Sequence, residues 1–219
     1  SNFGLVPASL MGIDIEHFIQ RAERMRHSCD STVPVAENPG VELGAVLGTL
    51  AKANRDKVTF ITSPALSDLG AWLEQLIAES TGKEDKGIVP IHDEPFGEIT
   101  SYGDDRFFAY IRYTDGVDLN QDDKVEALKE AGYPVIQIDV ANLINLGQEF
   151  FRWEIATATA GSLMGINAFD QPNVQESKDY TKSYLEEFTK SGKLPEESPV
   201  FKDGDIRIFV DEANKQALE

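Results

Sequence analysis

VTFITSPALSDLGAWLEQLIAES, residues 58–80, decides the fold. Val58–Thr62 is a short β-rich run, Thr62-Ser63-Pro64 punctuates it, and Leu66–Ser80 is a helix-length amphipathic segment. The same alternation recurs along the chain. Further strands are read at Ile88–Ile91, Phe107–Tyr113, Val135–Asp139 and Ile206–Val210. Further helices are read at Asp14–Ser28, Val41–Asn54, Gln121–Ala131, Ala141–Ala158 and Val174–Lys190. Asn38-Pro39 opens the second helix with proline in its first turn. Gly82 and Gly132 each follow a helix, where a left-handed C-cap is expected. Strands separated by helices imply a mainly parallel sheet covered on both faces. The expected architecture is therefore an α/β three-layer sandwich with about five strands. Ligands of such sheets bind beyond the carboxyl ends of the strands, which draws attention to Thr62-Ser63-Pro64. A plain βα loop with capping hydroxyls is the competing reading. The polar, turn-rich stretch Ser191–Asp205 separates a domain over residues 1–190 from residues 191–219, read as a linker, a strand and a helix leading toward further chain.

Composition narrows the function classes. The 219 residues hold 38 acids against 20 bases, a net charge of −18. That argues against nucleic acid, which is bound largely through clustered Lys and Arg. It leaves room for a phosphorylated metabolite, since one local site can hold a phosphate. No apolar run approaches the ~18 residues of a membrane span. The start, SNFGLVPASLMG, has neither an initiator methionine nor the basic region of a signal peptide. The lone Cys29 forms no internal disulfide, and the cytoplasm is the simplest compartment.

Several motifs carry no chemistry. His17, His27 and His92 share no metal-ligand spacing. Residues 118–122, DLNQD, imitate the start of a calcium loop, but Asp123 replaces its glycine and Lys129 its final glutamate. A helix N-terminus with acids favoured by the dipole accounts for them better. Gly44 and Gly48 inside a helix point to close helix packing, because no phosphate-binding glycine pattern surrounds them.

Three residues are candidates for a site. Gln75 and Glu79 are one turn apart on one helix face, with Glu79 in the last turn. The negative end of the helix dipole disfavours a carboxylate there, as a general base near neutral pH requires. An exposed helix-end glutamate is the bland reading. Lys178 shares a face with Val174, Thr181, Leu185 and Phe188, an apolar stripe where a lysine is unexpected. It either snorkels at the rim of that stripe or places a cation in a pocket.

FDQPNVQESK, residues 169–178, resembles the second signature of the phosphoglucose isomerase family, apart from Asn173 where glycine or alanine is usual. Gly161, Leu163 and Met164 agree with its upstream part, ESTGK at 79–83 is similar to the family's base-bearing segment, and SNFG at 1–4 is similar to the tail of its first signature. The wording is most similar to the isomerase part of fused transaldolase–phosphoglucose isomerases. The resemblance implies a sugar-isomerase domain that interconverts glucose 6-phosphate and fructose 6-phosphate through an enediol(ate). It implies Glu79 as proton shuttle, Lys178 at the ring oxygen and Gln75 in contact with substrate, without metal or organic cofactor. The family's phosphate cradle and signature arginine belong upstream, and no match to its ring-opening histidine context is found; His92, in VPIHDEP, does not supply it. The chain is thus expected to be the second sugar-isomerase domain of a longer enzyme, inactive alone. Its expected partners are a sugar phosphate, the first sugar-isomerase domain and a transaldolase domain; a homodimer is compatible with this. A non-catalytic sugar-phosphate-binding regulatory domain is the alternative.

Overall fold

The computed structural model describes residues 2–194, 198–211 and 214. The chain divides into two compact units, Ser1–Gln171 and Pro172–Glu219. The boundary expected near residue 190 falls inside the second unit.

The first unit runs α1 (Asn2–Leu10), α2 (Ile15–Ser28), α3 (Pro39–Lys52), β1 (Lys57–Thr62), α4 (Ser67–Thr81), β2 (Val89–His92), β3 (Arg106–Tyr113), α5 (Leu119–Glu130), β4 (Val135–Val140) and α6 (Leu146–Met164). Its four strands form one parallel sheet in the order β2-β1-β3-β4. Alternation along the central strands sorts the side chains to two faces. Val58, Phe60, Phe107, Ala109, Ile111, Ile138 and Val140 pack with Leu43 and Leu47 of α3, Leu69, Leu73 and Ile77 of α4, and Trp153, Ala156 and Ala160 of α6. Ile61, Phe108 and Tyr110 point the other way, onto Val125 and Leu128 of α5. The chain leaves β1 for β2 in one direction and β3 for β4 in the other. A common crossover hand then places α4 and α5 on opposite faces, as found.

Local signals hold at most boundaries. Asp14, Asn38 and Asp118 each cap a helix by accepting from a backbone N–H of its first turn. DLNQD is thereby a helix start. Gly132 takes the left-handed conformation at φ 87°, whereas Gly82 does not, at φ −71°. Gly82 serves by close approach, since a Cβ there would stand 2.8 Å from the Ala78 carbonyl oxygen. At Gly44 a Cβ would stand 2.4 Å from the Ala156 carbonyl oxygen, and at Gly48 2.9 Å from Leu163 Cβ. These glycines let α3 and α6 approach closely.

The second unit holds α7 (Pro172–Ser191) and a hairpin of β5 (Phe201–Asp203) with β6 (Ile206–Ile208). The fifth strand read at Ile206–Val210 is therefore not part of the parallel sheet. It pairs antiparallel across Gly204-Asp205, with Gly204 at φ 56°. The helix expected after it lies outside the described residues.

Candidate functional site

The carboxyl edge of the sheet is already occupied by protein groups. Ser63 is buried, and its Oγ accepts from the backbone N–H of Tyr113 at 2.9 Å. The Gln121 side-chain amide donates to the Thr62 carbonyl at 3.0 Å. Beside them the Asp122 carboxylate accepts from the Tyr110 hydroxyl at 2.7 Å and from two nitrogens of Arg112 at 2.8 Å. The Arg112 guanidinium, followed by the Tyr110 hydroxyl, holds the Asp122 carboxyl down at about 2. Burial, followed by the Asp122 hydrogen bond, pushes the Tyr110 hydroxyl well above its ordinary range. Thr62-Ser63-Pro64 thus works as a loop that ties strands together, and the Asp122 carboxylate beside it is paired with Tyr110 and Arg112.

The other edge, where the strands begin, carries the end of α4. A helix that leaves the carboxyl end of β1 and returns to the start of β2 must finish there. Glu79 lies in its last turn and is exposed. The Gln75 side-chain amide donates to Glu79 Oε1 at 3.1 Å, so the two share a face as the spacing predicts. The turn beneath them is firmly fixed. Thr81 is fully buried; its hydroxyl donates to the Ile77 carbonyl at 2.8 Å and accepts from the Ile88 N–H at 2.9 Å.

Lys83 follows, and it is only 4% exposed. Its ammonium donates to the carbonyl of Asn167 at 2.8 Å and to that of Asp170, and stands 3.2 Å from Asp170 Oδ1. A buried ammonium is costly unless paired, and these three oxygens supply the pairing. Sequence reasoning passed over Lys83, because a lysine after a helix-end glycine looks like a solvated surface residue. Its partners are main-chain carbonyls 84 and 87 residues away, which no periodicity reveals.

Lys178 lies in α7, of which no residue is buried. The expected burial of its apolar stripe is not found: Val174 is 45% exposed and Leu185 60%. Among the described residues of its own unit the helix is accompanied by two three-residue strands, too little to build a core. Gln75 and Glu79 are thus brought together within the first unit, whereas Lys178 belongs to the second.

His92 packs its ring where a Cβ on Gly70 would stand, 2.1 Å from Nδ1, and takes part in β2. Among the described residues no group of three or more His, Cys, Asp or Glu is arranged to hold a metal ion, and no helix is long and apolar enough to cross a membrane.

No family model matches the chain. It is 32% identical over 220 aligned positions to the glucose-6-phosphate isomerase of Rubrobacter xylanophilus, covering 83% of this chain and 50% of that protein. It is 29% identical to a probable glucose-6-phosphate isomerase of Methanococcus maripaludis, covering 81% and 48%. Among solved structures, the hypothetical protein TT0462 from Thermus thermophilus superposes with a TM-score of 0.69 at 22% identity, over 84% of this chain and 54% of the other. The glucose-6-phosphate isomerase of Chlamydia trachomatis gives 0.59 at 19% identity, over 80% and 43%. The structural likenesses show a shared fold. The chain spans about half the length of the curated relatives it matches.

Proposed function

We propose that this chain, homologous to glucose-6-phosphate isomerases over about half their length, supplies the proton-transfer part of an enzyme that interconverts glucose 6-phosphate and fructose 6-phosphate. The observation that carries the reading is the placement of Gln75 and Glu79. Both are solvent-accessible on a rigid helix end, inside the segment that resembles the family's base-bearing motif. In this reading Glu79 takes the proton from C2 of the open-chain aldose and returns it to C1 through a cis-enediol(ate). The charge on the developing enediolate needs a nearby donor, and Lys178 is assigned to the ring oxygen and to ring opening. Gln75 holds the Glu79 carboxylate and contacts the sugar. The reaction is redox-neutral within one substrate: one proton moves from C2 to C1, a hydroxyl proton passes from O2 to O1, and no external oxidant or reductant is consumed.

The reading extends to the rest of the polypeptide. The phosphate cradle and signature arginine would come from a first sugar-isomerase domain upstream. The transaldolase fusion and a cytoplasmic setting are its outermost parts, tested by reading the flanking coding sequence. A regulatory sugar-phosphate-binding domain is the second reading. The exposure of Gln75 and Glu79 also suits it, since a binding surface tolerates exposed groups as well as a catalytic one does.

The deciding experiment is Glu79→Gln in the protein that carries this chain, assayed by coupled dehydrogenase oxidation of glucose 6-phosphate formed from fructose 6-phosphate. Loss of ~100-fold or more in turnover is expected for removal of a general base. Turnover within a few-fold of the parent would leave Glu79 an ordinary helix-end residue and favour the regulatory reading.

A further inference from the structure

We propose that Lys83 is a positioning residue of the site. Its ammonium holds the loop Asn167–Asp170 against the end of the helix that carries Glu79. The inference rests on the function proposed above.

The geometry is a clamp with two arms. Lys83 reaches the carbonyls of Asn167 and Asp170 and the Asp170 carboxylate, and Lys86 Nζ reaches the Gly165 carbonyl at 3.4 Å. Both arms spring from one tight turn. Lys83 N–H donates to the Lys86 carbonyl at 3.0 Å, and Lys86 N–H donates back at 2.9 Å. The two residues between them, Glu84 and Asp85, are both left-handed, at φ 54° and 57°. Such a turn normally takes Asn-Gly or Asp-Gly, and non-glycine residues persist in it only where their surroundings over-determine the conformation. Residues opposite each other across a two-residue turn project to the same side. The strained turn therefore presents both ammonium groups to one loop.

A lysine needed only for folding could find its oxygens anywhere. This one joins the two stretches that the proposed function depends on. ESTGK contains Glu79 and Lys83, and FDQPNVQESK begins with Phe169 and Asp170. Loop Asn167–Asp170 also has its own local turn, in which the Phe169 N–H donates to Asn167 Oδ1 at 3.0 Å. The loop is thus shaped from within and anchored by Lys83 from without. A substrate contact displaced by about 1 Å can cost ~100-fold in rate, so an anchor four residues after the proposed base has functional leverage.

The test uses the ¹⁵N-labelled 219-residue chain titrated with fructose 6-phosphate. The Gln75 side-chain amide reports on the Glu79 end, and the backbone amides of Asp170 and Gln171 report on the clamped loop. In the parent chain both sets are expected to shift with one saturation curve. In Lys83→Met the Gln75 amide is expected to shift still, while the 170–171 amides no longer follow. A merely structural lysine would lower thermal stability without uncoupling the two sets. Coupled shifts in a folded Lys83→Met chain therefore overturn the proposal while leaving the function intact. If neither set shifts in the parent chain, the two stretches share no sugar site there and the positioning role is overturned, while the proposed function is judged by the turnover of Glu79→Gln. Should Lys83→Met not fold, Asp170→Asn replaces it. That change keeps both carbonyl bonds and removes the carboxylate, and the 170–171 response is expected to shrink selectively. An unchanged response there also overturns the proposal.

Discussion

The Gln75 side-chain amide donates to the Glu79 carboxylate at 3.1 Å across one turn of an exposed helix face. The pair therefore divides its labour in the proposed reaction, one member holding and the other moving a proton. Gln75→Met is expected to raise KM several-fold with a smaller change in kcat, whereas Glu79→Gln acts on kcat. Interactions made in the ground state appear in KM, and those made only in the transition state appear in kcat. Steady-state kinetics of the two variants side by side would show the split. A larger kcat loss in Gln75→Met than in Glu79→Gln would reverse the assignment.

The 219-residue chain by itself is expected to show negligible isomerisation of glucose 6-phosphate. It matches about half the length of its relatives, and the resemblance places the phosphate-binding groups in the other half. Binding energy from a remote phosphate is what positions the reacting carbons. A coupled assay on the purified chain measures this directly. Turnover on the order of 10 per second, typical of enzymes, would show that these residues are sufficient.

Gly44→Ala should destabilise the first unit. The new Cβ would meet the Ala156 carbonyl oxygen at 2.4 Å and Thr159 Cβ at 2.5 Å, both on α6. Backbone does not yield as a flexible side chain would, so α3 and α6 must separate. Overpacking of this kind costs roughly 1–3 kcal/mol, and the pairing of α3 with α6 covers one face of the sheet. Urea unfolding followed by tryptophan fluorescence reports it through Trp153, which is fully buried on α6 and packs edge-on against Phe60 of β1. An unchanged midpoint would mean that the helices have slack.

The alternation of strands and helices made the sheet legible, because each βα unit carries its own local punctuation. Asn38-Pro39 and the Gly132-Tyr133-Pro134 handover fall where the structure needs them. The strand at Ile206–Ile208 forms where its β-rich composition predicts it but stands outside the parallel sheet, because its partner is decided by a turn. Gly204-Asp205 before Ile206 is a hairpin signal that outweighs the alternation. Helix α1 went unread, since Pro7 interrupts it and its apolar residues follow no clear face. Gln75 and Glu79 were legible through i,i+4 spacing. Lys83 was not, because its role depends on main-chain oxygens brought near by α6 and the loop after it.

The Asp122 network should give the first unit an acid-sensitive component. Asp122 is held at about 2, first by Arg112 and then by Tyr110, below the ~3.9 of an unfolded aspartate. A depressed carboxyl contributes stability that is fully present above about pH 4 and is lost as pH falls toward 2. Asp122→Asn should therefore be less stable than the parent at pH 7, and the gap should close between about pH 4 and pH 2. Urea midpoints over that range test it. A gap that stays constant across the range would mean that the carboxylate charge contributes nothing.

Lys178 poses the sharpest test, because the proposed chemistry requires it to meet the sugar that Glu79 deprotonates. A hexose phosphate spans about 10 Å, close to three extended residues. Both side chains must therefore come within one such length of a common point, although they belong to different units of the chain. Cys29, the sole cysteine, can be replaced by serine so that a spin label attaches only at Lys178→Cys. In that labelled chain with fructose 6-phosphate present, the Gln75 side-chain amide should be strongly broadened, since it shares a helix turn with Glu79. Reduction of the label should restore the signal. An amide that stays sharp while its own shift shows the sugar bound would place Lys178 beyond the reach of a shared hexose. The opening of the sugar ring would then need another cation, while the assignment of Glu79 would stand or fall on its own kinetics.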